Sequence, residues 1–200
     1  MAKKVIALDI DDVLSTNAKH FVEWSNKTWG TRLGVEDFDE DLATMWGVDI
    51  ETVRSRMNEY VKSDTVSGHG YFAEAIPVIE ELRSKYDFIL VTSRRTLLAP
   101  LTRKWIDKHF PDLFEIIHHS GIFDKTEKGA HKKTKADICK EIGADYLIDD
   151  QPKHCFAVAE AGIQTLLFGD YAWNRKITGL PARVTRVKDW AGVKRYFDGR

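Results

Sequence analysis

The sequence predicts an α/β protein, a doubly wound parallel sheet with a small helical cap inserted after strand one. Three observations predict it. Short apolar, β-branched runs recur along the chain, helical patterns separate the later runs, and one gap between runs is too long for a single crossover. Alternating strands and helices make a parallel sheet, and right-handed crossovers cover both of its faces.

In order, the runs occupy residues 5–8, 88–91, 115–117, 146–148 and 164–168. Each has the continuous hydrophobicity of a strand buried on both faces. Leu98, Leu101, Trp105 and Ile106 recur at helical spacing after the second run. Ile138, Cys139 and Ile142 do so ahead of Gly143, a residue suited to a helix C-terminus. The break falls after the first run, where about 75 residues precede the second. That stretch holds one helix candidate through Phe21, Val22 and Trp24, and a clearer one from Asp49 through Ile50, Val53, Met57 and Tyr60. It reads as a helical cap over residues 16–75, with residues 1–15 and 76–200 forming the core. Pro77 suits an early helix position, so the chain re-enters the core through a helix carrying Ile79 and Leu82.

The chain is 200 residues long, 43% hydrophobic and 30% charged, which describes an ordinary globular protein able to bury roughly 70% of its surface. Thirty basic against 31 acidic side chains leave a net charge of -1, which argues against a partner that is a nucleic acid polymer. No apolar run approaches the roughly 20 residues that a membrane span needs. The start, Met-Ala-Lys-Lys, leads into the first strand without a secretory h-region. A reducing, cytoplasmic setting is therefore expected, with Cys139 and Cys155 as small buried hydrophobes rather than zinc ligands. The oligomeric state is not legible.

Ligands of open parallel sheets bind beyond the carboxyl ends of the strands, and those ends are unusually polar in this chain. The first strand ends in Asp9-Ile10-Asp11-Asp12, the second in Thr92-Ser93-Arg94 and the fourth in Asp149-Asp150. Asp9 and Asp11 are two apart, so extended backbone points both carboxylates to one side. Several carboxylates in one site require a cation, and oxygen ligands without His or Cys favour Mg²⁺. Asp9, the Asp11 backbone carbonyl and Asp149 or Asp150 are the expected metal ligands. A phosphate held by that metal would meet the Thr92 and Ser93 hydroxyls and N–H groups, and Lys135, which starts the helix leading to Asp149.

These positions resemble the four motifs of the haloacid dehalogenase-like phosphatases. Asp9-Ile10-Asp11-Asp12-Val13-Leu14 is similar to motif one, Thr92 to motif two, Lys135 to motif three and Ile148-Asp149-Asp150 to motif four. The cap lies where that superfamily places its first cap type. Within it, the chain is most similar to the small 5'-nucleotidases and deoxyribonucleotidases, through Ile148-Asp-Asp-Gln-Pro, Phe168-Gly-Asp-Tyr-Ala-Trp-Asn174 and a helix start at Asp189-Trp190. It differs in carrying Asp12 where Gly is common and Ser93-Arg94 where Ser-Pro is common. The resemblance implies that Asp9 is a nucleophile forming an aspartyl-phosphate, and that Asp11 is the general acid and base, with a pKa above that of Asp9, which the bound cation keeps ionised. It also implies a small-molecule phosphate ester as substrate, with a nucleoside monophosphate as the first expectation.

Plainer readings stand beside these. Asp9, Asp11 and Asp12 also suit a turn that caps the next helix, and Thr92 suits a cap. Lys132, Lys133 and Lys135 suit a solvated charge run. Trp24, Trp29, Trp46 and Phe72 suit cap core, although Trp46 and Phe72 are the candidates for stacking on a base. His118-His119 point to opposite sides, which disfavours joint metal binding. A sugar-phosphate phosphatase, a phosphotransferase and a receiver-type phospho-switch are the alternative functions; the last expects a lone acceptor Asp and no long insertion.

Overall fold

A computed structural model describes residues 2–122, 124 and 133–199. Strand β1 (Lys4–Leu8) is followed by three inserted helices, α1 (Asn17–Trp29), α2 (Leu42–Trp46) and α3 (Ile50–Lys62). Helix α4 (Ala75–Leu82) returns the chain to the sheet at β2 (Tyr86–Thr92), which α5 (Ala99–His109) joins to β3 (Ile117–His119). Then follow α6 (Lys135–Glu141), β4 (Tyr146–Asp149), α7 (Pro152–Glu160), β5 (Gln164–Phe168), β6 (Val184–Val187) and α8 (Trp190–Asp198).

The six strands form one sheet in the order β3-β2-β1-β4-β5-β6, and every neighbouring pair is parallel. Alternation along each strand divides the core between the two faces. Ile6, Leu8 and Ile148 pack with Ile79 of α4, Ile106 of α5 and Val193 of α8. Ala7, Val91 and Leu147 pack on the other face with Ile138 of α6 and Val158 of α7. The sheet is therefore doubly wound, as its sequence pattern requires.

Three details differ from the sequence reading. The third strand lies two residues later than residues 115–117, because its register with β2 pairs Ile117 with Leu90 and His119 with Thr92. The short α2 and the edge strand β6 carry too few apolar residues to announce themselves. The basic stretch at residues 125–132, including Lys132, lies outside the described residues, and Lys133 pairs with Glu141 on the surface at 2.8 Å.

The inserted segment has its own apolar cluster, built on Phe21, Trp46, Val53 and Tyr60. Helix α3 starts where the sequence indicates, since the Asp49 carboxylate accepts the Thr52 N–H at 2.8 Å and caps its first turn. Helix α1 stops at Gly30, whose φ of 67° admits the left-handed turn that ends it. Among the described residues no helix is long and apolar enough to cross a membrane.

Candidate active site

The strand order reverses between β1 and β4, and open α/β sheets place ligands in the crevice at that point. The Asp9 amide donates to the Ile148 carbonyl at 3.0 Å and ties the two acidic strand ends together. Asp9, Asp149 and Asp150 are all buried, and each brings a carboxylate oxygen within 4.8 Å of the others.

Lys135, the first residue of α6, is 1% exposed. Its Nζ lies 2.7 Å from Asp9 Oδ1 and 2.6 Å from Asp149 Oδ2. A capping box fixes it there: the Asp137 N–H donates to Thr134 Oγ1 at 3.1 Å and the Thr134 N–H donates to Asp137 Oδ2 at 2.9 Å. Burial alone would lower the Lys135 pKa, but Asp149 and Asp9 outweigh it and keep the ammonium charged.

One ammonium does not balance the carboxylates around it. Burial pushes Asp9 up to about 7, against the pull of Lys135 and with repulsion from Asp149 and Asp11. Burial also drives Asp150 well above the usual carboxylate range, reinforced by Asp149, Asp12 and Asp9. A divalent cation offsets this repulsion, and a buried, all-carboxylate donor set suits Mg²⁺. The two acids ending β4 differ in what they have to offer. Asp149 Oδ2 is taken by Lys135 and its Oδ1 accepts the Gln151 N–H at 2.8 Å. Asp150 Oδ2 accepts from Trp173 Nε1 at 2.7 Å and from Gln151 Nε2 at 3.0 Å, and its Oδ1 accepts from no donor among the described residues. Asp150 therefore presents the free oxygen.

Asp11 lies on the same cavity but in a different environment. Arg94 grips it with two nitrogens, Nη2 at 2.7 Å from Oδ1 and Nε at 3.0 Å from Oδ2, and the Ser15 hydroxyl donates to Oδ1 at 3.0 Å. The Arg94 guanidinium is itself buried over the Trp105 ring, 5.7 Å from its centroid, and its Nη2 lies 3.2 Å from His69 Nδ1. On its other side, His69 Nε2 lies 3.2 Å from the Tyr60 hydroxyl of α3. Burial would raise the Asp11 pKa, yet Arg94 outweighs it and brings Asp11 to about 2. Arg94 thus holds Asp11 low while burial raises Asp9; the expected order, Asp11 above Asp9, belongs to the site with a cation on Asp9.

Asp12 takes the plainer of its two readings. Its φ of 57° is left-handed, and its carboxylate accepts the Ala18 N–H at 3.0 and 3.2 Å, capping the first turn of α1. Burial holds it at about 8 against that hydrogen bond. The two hydroxyls after β2 also divide. Thr92 is fully buried off the cavity wall, where its Oγ1 accepts the Arg94 N–H at 3.1 Å, whereas Ser93 lines the cavity with its Oγ unpartnered.

The cavity measures about 400 Å³ and runs from Asp9, Asp11, Asp150 and Lys135 to the apolar side chains of Phe21, Phe38, Met57 and Leu98. Trp46 and Phe72, the two stacking candidates, are not on its wall. Trp46 lies within the cap cluster, stacked on Phe21 at 5.5 Å, with its Nε1–H donating to Ser25 Oγ at 2.9 Å. Phe72 packs in the main core, 6.2 Å from Phe168. An aromatic that can bury its face and satisfy its N–H inside a cluster does so, and helical spacing does not separate that from a cavity wall. Sequence reasoning missed Tyr60 and His69 as site residues. Arg94 carried a signal, its place in motif two, and Trp173 carried one in its aromatic-Asn pair. His118 and His119 lie within β3, and His119 Nδ1 reaches the Arg94 carbonyl at 3.2 Å rather than a metal.

Known proteins match the chain along most of its length. The family described as "5' nucleotidase, deoxy (Pyrimidine), cytosolic type C protein" matches residues 3–197. A protein of Halalkalibacterium halodurans named "Putative nucleotidase" is 27% identical over 199 residues, covering 98% of this chain and 93% of that one. Another of the same description from Bacillus subtilis is 26% identical over 193 residues, covering 92% and 89%. Among solved structures, a haloacid dehalogenase-like hydrolase of Streptococcus pneumoniae superposes with a TM-score of 0.69 at 17% identity, covering 98% of each chain. A D,D-heptose 1,7-bisphosphate phosphatase of B. bronchiseptica, solved with magnesium and phosphate, superposes at 0.58 with 16% identity and 98% coverage of each chain.

Proposed function

Since the chain belongs to the 5' nucleotidase, deoxy (pyrimidine), cytosolic type C family of haloacid dehalogenase-like phosphoric monoester hydrolases, we propose that it is a Mg²⁺-dependent nucleotidase acting through an aspartyl-phosphate on Asp9. The observation that carries this reading is the meeting of Asp9, Asp150 and Lys135, contributed by distant parts of the chain, on the wall of one cavity, with buried Asp149 paired to Lys135. Helices α1 to α3 serve as the cap, and a cavity walled in part by its apolar side chains suits a small organic phosphate. A nucleoside monophosphate is the substrate we favour, with Phe21, Phe38 and Met57 offering apolar surface to its base. The two free cysteines accord with a cytoplasmic setting.

In this reading an Asp9 oxygen attacks phosphorus, the ester P–O bond breaks, and the departing alkoxide takes a proton from Asp11. Asp11 then removes a proton from water, whose oxygen attacks phosphorus and releases Asp9 and inorganic phosphate. Ser93 and Lys135 hold the phosphoryl oxygens. Asp9 and Asp150, with Asp149 beside them, would hold Mg²⁺, and the ion would supply positive charge at the phosphoryl group. Asp11 works as an acid only when its Arg94 pair opens, and an arriving phosphate dianion competes for that guanidinium.

The test is hydrolysis of a panel of deoxynucleotides, ribonucleotides and sugar phosphates with Mg²⁺, by wild type and Asp9→Asn. The expected result is turnover of nucleoside monophosphates ahead of sugar phosphates, with at least about a thousandfold loss in the variant, while it stays folded. Undiminished turnover by Asp9→Asn removes the nucleophile assignment, and preference for sugar phosphates removes the substrate assignment.

A further inference from the structure

Trp173 touches both a candidate metal-binding carboxylate and the cap. Its Nε1–H donates to Asp150 Oδ2 at 2.7 Å, and its ring meets Phe38 of the cap edge to face, 5.2 Å between centroids. The remaining contacts make it a rigid strut. The ring stacks on Tyr171 at 4.5 Å and 8°, and the Tyr171 hydroxyl donates to the Asp12 carbonyl at 2.7 Å. The next residue, Asn174, is fully buried, and its Nδ2 donates to the Asp150 carbonyl at 3.0 Å and to the Phe168 carbonyl at 2.9 Å. Arg186 holds the same turn through the Asn174 carbonyl at 2.9 Å.

We infer that Trp173 is a positioning residue that couples cation binding at Asp150 to closure of the cap. By occupying Asp150 Oδ2 together with Gln151, it leaves Oδ1 to be the oxygen that an ion would take. Partners one step removed from a metal commonly set its affinity by this means. The same indole bears on Phe38, which lies between two ion pairs that also join cap to core, Glu36 with Arg175 and Glu40 with Lys153. Phe38 lines the cavity, so the ring that orients the metal ligand also props the wall over the substrate. Coupling between two sites is reciprocal, so loosening the cap contact must weaken the ion.

The inference rests on the proposed cation site, and the experiment separates the two. Mg²⁺ is titrated by calorimetry into chelator-stripped wild type, Trp173→Phe and Phe38→Ala, with no substrate present. Trp173→Phe keeps a ring but loses the donor, and is expected to bind Mg²⁺ about tenfold or more weakly, in the range of such outer partners. Phe38→Ala keeps the donor and is expected to bind more weakly by a smaller factor, through the coupling alone. Hydrogen exchange supplies the second readout: Mg²⁺ slows exchange over residues 35–42 in wild type and does so less in Trp173→Phe. Unchanged Mg²⁺ affinity in folded Trp173→Phe, or in Phe38→Ala should the first variant fail to fold, overturns the coupling and leaves the cation site standing. Absence of Mg²⁺ binding to wild type overturns the cation site and the coupling with it.

Discussion

Two adjacent aspartates show how far side-chain identity is from side-chain role. Asp11 is gripped by Arg94 and held at about 2, while Asp12 turns away, caps α1 and is held at about 8. The backbone at Asp12 is left-handed, which costs an ordinary residue roughly 1 kcal/mol and Gly nothing. Both Asp12→Gly and Asp12→Ala lose the cap, so their difference isolates the backbone term. Urea unfolding is expected to find the Ala variant less stable than the Gly variant by about 1 kcal/mol. Equal stability would mean that the turn relaxes to another conformation. The convergence of Asp9, Lys135 and the Asp149-Asp150 pair was legible because each ends a strand or starts a helix, positions that a parallel sheet gathers at one edge. The Arg94 grip on Asp11 was not, because the two partners lie 83 positions apart.

At the scale of elements, the strands were legible wherever both faces are buried, and the helices wherever an apolar stripe repeats. Strand β6 buries only its two terminal valines over four positions, and α2 has five residues, so neither offers a period to read. The cap aromatics were a different failure. Spacing placed Phe21, Val53 and Tyr60 on helices but not Trp46, and which ring faces the cavity depends on how those helices cross; Phe21 stands between Trp46 and the cavity. Trp46→Ala is therefore expected to act on the cap as a whole, costing about 3–5 kcal/mol by opening a void in its cluster. If the base-stacking idea were right instead, the variant would keep its thermal stability and lose affinity for nucleotides alone.

Across the whole molecule, the site concentrates charge that the fold cannot balance by itself. Asp9 and Asp12 keep their protons in the fold to about 7 and about 8, whereas in the unfolded chain they release them near 3.8. Their contribution to stability is thus complete below about pH 4 and is lost as pH rises through those folded values. His69 and His154 work the other way, because burial lowers them to about 3 and about 4 from 6.5, so their contribution is lost on acidification below about pH 6.5. Between about pH 6.5 and pH 8 the acids decide the slope. Mg²⁺ bound at Asp9 and Asp150, as proposed, would favour the ionised carboxylates and oppose it. The central claim, that these acids form a cation site, is tested most directly by thermal unfolding across that window with and without Mg²⁺. Without the ion, Tm should fall by several degrees, on the order of 2 kcal/mol of stability, and millimolar Mg²⁺ should raise Tm most at pH 8. A curve that Mg²⁺ leaves unchanged at every pH would contradict it.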